Sequence, residues 1–307
     1  MTAAITPTSK MLTLARREFQ EQRIMFFYLP LLICLMVTVT FAVVALRSYI
    51  MDFHFIGLIG NRTIAETPQE IAMALQSFSE MPMEFRTRFW EQFYTQTLPL
   101  QYIGLWGVLF YYFQMTLYSQ RADRSILFWN SMPVSNTETI ISKLLAGYVL
   151  CHAIWVAFLF VFQIMMMLVM MAYMSQFDVS VWDNVVVPSG IIGRFAYLFS
   201  FTFLAIFWSL PVYAWLLLTS AWTKSAPFAW SMAPIVILVL FEVMFISTRA
   251  DVLRVFFEHA FPVAVASGTW SDFELTSKFF SGEMLVSILL GVAFIYGAIR
   301  LNRSEES

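Results

Sequence analysis

Six stretches of this chain are apolar for long enough to cross a bilayer, and little between them could fold as a separate soluble body. They run near Ile24 to Leu46, Leu98 to Ser119, Lys143 to Met174, Ile191 to Ser220, Pro227 to Ile246 and Met284 to Arg300. A helix needs about 20 apolar residues to cross hydrocarbon, and there its backbone groups must be satisfied within the segment. The expected fold class is therefore all-α: a polytopic membrane protein with six transmembrane helices in one domain over residues 1–307. The third and fourth runs exceed the need, so they should tilt or project beyond the hydrocarbon. Pro30, Pro211 and Pro234 fall inside runs and are expected to kink them, since each removes a backbone donor. Composition agrees, with 60% hydrophobic and 12% charged residues, against about half and about a quarter in soluble domains.

The polar flanks set the topology. Residues 1–23 carry Lys10, Arg16, Arg17 and Arg23 and lack a signal peptide's apolar core and cleavage site, so the first run is expected to be retained. Ser9 to Arg23 reads as an N-terminal amphipathic interfacial helix, with Met11, Leu12, Ala15 and Phe19 on one side. A plain basic tail that orients the next span is the alternative. Lys and Arg are denser in the short segments on the N-terminal side of the membrane, which places both termini in the cytoplasm.

Two longer segments then face outward. Residues 47–97 form an extracytoplasmic helical insertion. Thr67-Pro68-Gln69-Glu70 reads there as a helix start, with a cap, a Pro in the first turn and a capping-box Glu. A second helix is expected from Pro82 to Gln96, with Phe85, Phe89, Trp90 and Phe93 forming an aromatic stripe that packs on the first helix or the bilayer surface. Residues 247–282 hold an apolar stretch, Val252 to Gly268, broken at Pro262, which suits a re-entrant or interfacial hairpin.

The chain carries no phosphate-binding Gly-rich loop, no H-E-x-x-H and no G-x-S-x-G, so an enzyme is not expected and any ATP must bind another chain. A net charge of -2 gives no basic field for nucleic acid. His54, His152 and His259 have no metal-ligand spacing, and Cys34 and Cys151 lie in apolar runs, away from any disulfide framework. The Met165-Met166-Met167 run reads as adaptable packing rather than a metal site. Ionisable residues inside spans are costly and mark candidate transport paths. Glu242 is the clearest, either touching substrate or bonding another helix. His152 and Gln163 lie eleven positions apart on the third run, about three turns, and so share a face.

The longest polar interruption on the inner side is Arg121 to Lys143. Arg121, Asp123 and Arg124 lead it, Ile126, Leu127, Phe128 and Trp129 are apolar, and Pro133 stops any helix. Ser135-Asn136-Thr137-Glu138 is a capping box that starts a helix continuous with the third span. A push on the apolar segment would reach the span with little slack. An ordinary interhelical loop is the alternative.

This stretch resembles the first cytoplasmic loop of the permease subunits of type-2 ABC (ATP-binding cassette) transporters, mostly exporters. Asp123, Ile126-Leu127, Pro133-Val134-Ser135 and Lys143 match in order and spacing, while Arg124-Ser125 stands where Gly-Thr is common. The likeness extends to the N-terminal amphipathic helix, the six spans and the broken segment before the last. It implies two permease copies on two ATPase subunits, with residues 121–135 as the coupling segment and the N-terminal helix as a second ATPase contact. ATP and Mg would be bound by the partner, and this chain would hold no cofactor. Substrate, lipophilic or amphipathic, would pass outward between the permeases across a bacterial inner membrane. The enlarged outer region suggests a subfamily. An ion-gradient-driven transporter would want more intramembrane carboxylates and repeat symmetry. A membrane scaffold or an intramembrane enzyme would predict no ATPase partner.

Overall fold

A computed structural model describes residues 7–50, 68–123, 134–246, 251–262, 277 and 279–304. Among these, every regular element is a helix. α1 (Pro7–Glu21) leads through a π-helical turn (Ile24–Tyr28) into α2 (Leu29–Ile50), followed by α3 (Pro68–Glu80) and α4 (Met83–Ala122). α5 (Asn136–Leu144) continues through a second π-helical turn (Leu145–Cys151) into α6 (His152–Met174). A third π-helical turn (Trp182–Val186) and one turn of α-helix (Val187–Ser189) precede α7 (Ile191–Trp208) and α8 (Leu210–Trp222). Then come α9 (Pro227–Phe245), α10 (Asp251–Ala260) and α11 (Gly282–Ser304). Ile24–Val43, Asn136–Met174, Trp182–Trp208, Pro227–Phe245 and Gly282–Asn302 are long and apolar enough to cross a membrane. The protein thus has the helices of an all-α, multi-pass membrane protein.

Two expected boundaries differ. The helix expected to end near Gln96 and the span expected to begin at Leu98 are one helix, α4, which passes through Pro99. Pro99 has no N–H to give to Thr95 O, and in the turns before it the hydroxyls of Thr95 and Thr97 bond back to Glu91 O at 2.7 Å and Tyr94 O at 2.7 Å. This helix is not apolar enough to stand out alone, because its inward positions include Gln101, Tyr102, Tyr112, Gln114 and Thr116. The run from Ile191 to Ser220 is two helices, interrupted at Ser209. Pro211 marks this interruption, as expected of a residue with no N–H for the i−4 bond. It lies in the first turn of α8, where a helix has no use for the missing donor. Pro234 does remain inside α9.

Contacts divide the chain into two units. One comprises Leu29–Gln101 and Val156–Phe199. α3 begins at Pro68, as its sequence signal requires, and lays Ile71 and Leu75 into a core with Cys34, Trp90, Met166, Met170 and Met174. The middle methionine of the triplet is thus packing material. The aromatic stripe packs inward as expected: Phe89 meets Phe78 at 5.2 Å between ring centroids and Phe93 meets Phe41 at 5.6 Å. Phe85 alone stays outside, 62% exposed. Trp90 is fully buried and donates its indole N–H to Asn184 O at 2.8 Å, while Arg86 reaches Asp183 O at 2.9 Å.

The other unit comprises Met1–Tyr28, Tyr102–Trp155 and Ser200–Ser307. Its core is an aromatic group in which Phe113 contacts Tyr112, Tyr148 and Tyr213 at 5.2, 5.2 and 5.6 Å. α8 packs along α11. Gly291 permits the approach, since a Cβ there would lie 2.5 Å from Leu210 Cγ. Small residues are how helices meet closely when no water drives them together.

Candidate functional site

The polar structure with the most consequence lies at the foot of α5. Ser135 and Glu138 form the expected capping box: Ser135 Oγ accepts from Glu138 N at 3.2 Å, and Glu138 Oε2 accepts from Ser135 N at 2.7 Å. The helix so started runs unbroken to Met174. Two turns in, Lys143 is only 1% exposed, and its Nζ donates to Glu18 Oε1 of α1 at 3.0 Å and to Thr116 Oγ1 of α4 at 2.9 Å. Glu18 is equally buried. Its other oxygen accepts from the Tyr112 hydroxyl at 3.1 Å, and Arg17 adds a bond to Oε1 at 3.0 Å. α1, α4 and α5 therefore share one charged knot.

Electrostatics in the knot are set by competition. Burial alone would push the Glu18 carboxyl up, but the Lys143 ammonium, its hydrogen bond and Arg17 outweigh this and hold the carboxyl below its ordinary value. Glu21, one turn on, goes the other way. Its own burial and the charge of Glu18 raise it, against Arg17 at 3.2 Å. Sequence reasoning had placed Lys143 at the head of a span and missed Glu18. The face it gave α1 is also rotated. Leu12 is 71% exposed, while Met11, Leu14, Ala15 and Glu18 follow the inward i, i+3, i+4, i+7 spacing. A lysine just inside an apolar run was the available signal, because a buried ammonium demands an acid.

Upstream of the polar interruption, Arg121 is also tied down. Its guanidinium donates to the carbonyls of Ser220, Ala221 and Thr223, closing the C-terminal end of α8 with a positive charge. Ser220 Oγ accepts in turn from the N–H groups of Leu117 and Tyr118. Asp123 is exposed. Both flanks of the interruption are thus fastened to the same unit. Arg124, Ile126, Leu127, Phe128, Trp129 and Pro133 lie outside the described residues.

No family model matches the chain, and neither curated proteins nor solved structures give a significant match.

The three intramembrane candidates have different surroundings. Glu242 is 6% exposed and caps the start of α10, accepting from the N–H of Asp251 at 2.6 Å and of Val252 at 2.8 Å. These are donors a helix start cannot satisfy itself, and a carboxylate suits the positive end of the dipole. His152 is buried, with Nδ1 3.3 Å from Gly147 O and its ring stacked on Tyr148. It lines a small cavity of about 20 Å³ with Ser209 and Tyr213, room for one water. Gln163 is wholly buried, and neither amide atom meets a partner among the described residues. The described residues hold no group of three acidic, His or Cys side chains that could bind a metal. Sequence reasoning also missed a larger cavity between α8, α9, α10 and α11.

Proposed function

We propose that the chain is the permease subunit of a type-2 ABC transporter, one of two copies acting with two ATPase subunits. The observation that carries this reading is the buried Glu18–Lys143 pair. It joins the N-terminal helix, one expected ATPase contact, to the capped helix that follows residues 121–135, the other. The Arg121 clamp fastens the other flank of that segment to α8. A force on Ile126, Leu127, Phe128 and Trp129 would then pass into the spans from both sides. ATP and Mg would stay with the partner, and this chain would itself catalyse nothing.

In this reading α4 supplies the sixth crossing, both termini face the cytoplasm of a bacterial cell, and residues 47–97 and 247–282 lie outside the inner membrane. Cargo, lipophilic or amphipathic, would leave between the two copies. Glu242 spends both carboxylate oxygens on a helix start, which argues against its service as the ion-binding group of a gradient-driven transporter. The test is purification of the tagged chain in mild detergent. An ATPase should accompany it, and the pair should hydrolyse ATP in response to substrate. Phe128→Ala with Trp129→Ala should then uncouple hydrolysis from transport while the chain still inserts. Absence of any ATPase, together with no ATP-dependent activity on co-expression with a candidate subunit, would sink the permease reading.

A further inference from the structure

α9 is held near its two ends and stands off its neighbours between them. Near its start, the Ser231 hydroxyl bonds Gln114 Oε1 at 3.0 Å, and Ser231 O accepts from the Trp215 indole at 3.0 Å. Near its end, Glu242 caps α10. Between these points Pro234, Ile235 and Leu238 line a cavity of about 860 Å³, whose other walls are α8, α10 and α11. α8 packs on all three of these helices and α9 packs on α10, but among the described residues α9 and α11 barely touch. The cavity therefore opens sideways, between two helices long and apolar enough to cross a membrane.

Its depth is that of one leaflet. Along α11 it runs from Gly282 to Phe294, about 18 Å at about 1.5 Å per residue, against about 15 Å for half of a hydrocarbon core. α10 closes the end with Val255 and Phe256, while its Asp251 and Arg254 stay exposed, the build of a helix lying at the membrane surface. Polar groups at this end are spent on one another. His259 reaches Val255 O at 2.8 Å and Ser287 Oγ at 3.0 Å, one with each ring nitrogen. Trp208 donates its indole N–H to Glu258 O at 3.1 Å. The Glu258 carboxylate pairs with Arg254 at 4.0 Å, and Glu283 has a partner of its own. The deeper wall is hydrocarbon and ring, as at Pro211, Val212, Trp215, Leu290 and Phe294.

We infer that this cavity holds the acyl chains of a membrane phospholipid, which enter between α9 and α11 from one leaflet and lie against α8. The side opening admits what the bilayer itself supplies. A partner's spanning helix would have to cross about 30 Å of hydrocarbon, and here it would meet α10 partway. Bilayer and cavity are equally apolar, so retention comes from packing against fixed walls rather than from escape from water. An empty space would leave those walls without contacts, and the chains restore them. The inference goes beyond the permease reading and does not depend on it, since a chain with no ATPase partner would carry the same cavity.

The test uses the purified full chain in non-ionic detergent. The probe is a phosphatidylcholine with a diazirine midway along one acyl chain, and peptide mass spectrometry after photolysis locates the adducts. Labelling of the deep wall at Val212 and Trp215 should saturate as the probe's share of the micelle rises, and unlabelled phosphatidylcholine should suppress it. Leu240 and Met244, 55% and 72% exposed on α9, are the control, and their labelling should rise in proportion to the probe. Ile235→Trp and Leu290→Trp each place bulk in the cavity. Whichever stays monodisperse should lose about tenfold in wall labelling and keep the control labelling. Adducts confined to outward faces, as a second copy seated in the cavity would give, overturn the proposal. So do wall labelling that never saturates and a folded filling variant labelled like the wild type.

Discussion

Breaking the Glu18–Lys143 pair from either side should destabilise the fold unequally, and breaking both sides should restore much of the loss. At 3.0 Å the Coulomb attraction is roughly 5 kcal/mol at an effective dielectric of about 20. Stripping water from two ions costs a comparable amount, so the pair's net value is small while the cost of orphaning one ion is about 3–5 kcal/mol. Glu18→Leu leaves the ammonium with the Thr116 hydroxyl alone among the described groups. Lys143→Met leaves the carboxylate with Tyr112 and Arg17. Glu18→Leu should therefore lie at the upper end of that range and Lys143→Met at or below its lower end. The double variant should recover at least about 2 kcal/mol relative to the summed singles.

The assay is unfolding in mixed micelles, with tryptic cleavage at the exposed Arg16 and Arg23 reporting release of α1. The pH dependence has a definite sign. Because the folded Glu18 carboxyl is held below its ordinary value of 4.5, its contribution is complete above that value and is lost as pH falls through the lower folded one. Glu18→Gln should remove this acid limb. Strictly additive single variants, or an unchanged cleavage pattern in Glu18→Leu, would refute the reasoning.

Arg121→Ala should destabilise by about 1–3 kcal/mol, as a charge-assisted set of carbonyl bonds is lost, and Arg121→Lys should rescue little because the planar fork is gone; thermal midpoints in detergent decide. Glu242→Gln should cost about 1 kcal/mol and speed hydrogen exchange at the amides of Asp251 and Val252, since the cap loses its charge. Gly291→Leu should cost about 1–3 kcal/mol by driving α8 off α11, whereas Gly107→Ala, with nothing within 4 Å of the added carbon, should be neutral or mildly stabilising by the same measurement.

The sequence made the apolar crossings and the caps legible because both are local. Thr67 to Glu70 and Ser135 to Glu138 announce helix starts through residues three apart, and both helices begin there. What could not be read were partners far along the chain. Glu18 and Lys143 are 125 residues apart, and Glu242 reads as an intramembrane charge until the start of α10 arrives beside it. Pro99 and Pro211 show the limit of a local rule. One is carried within a long helix held by its packing, and the other breaks its run, the chain leaving the helix just ahead of it at Ser209. Whether a proline kinks depends on where the neighbouring helix ends, and the sequence leaves that undetermined.

The inward polarity of α4 bears on how such a chain is made. A segment with Gln101, Gln114 and Thr116 turned away from lipid is a poor candidate to partition into hydrocarbon unaided. Three of its partners, Ser220 on α8, Ser231 on α9 and Lys143 on α5, are synthesised after it. In the proposed reading, in which α4 is the sixth crossing, it must wait on emerging in a sheltered place until those later helices arrive. Its stable insertion is an event of assembly, complete only when the last of them has docked.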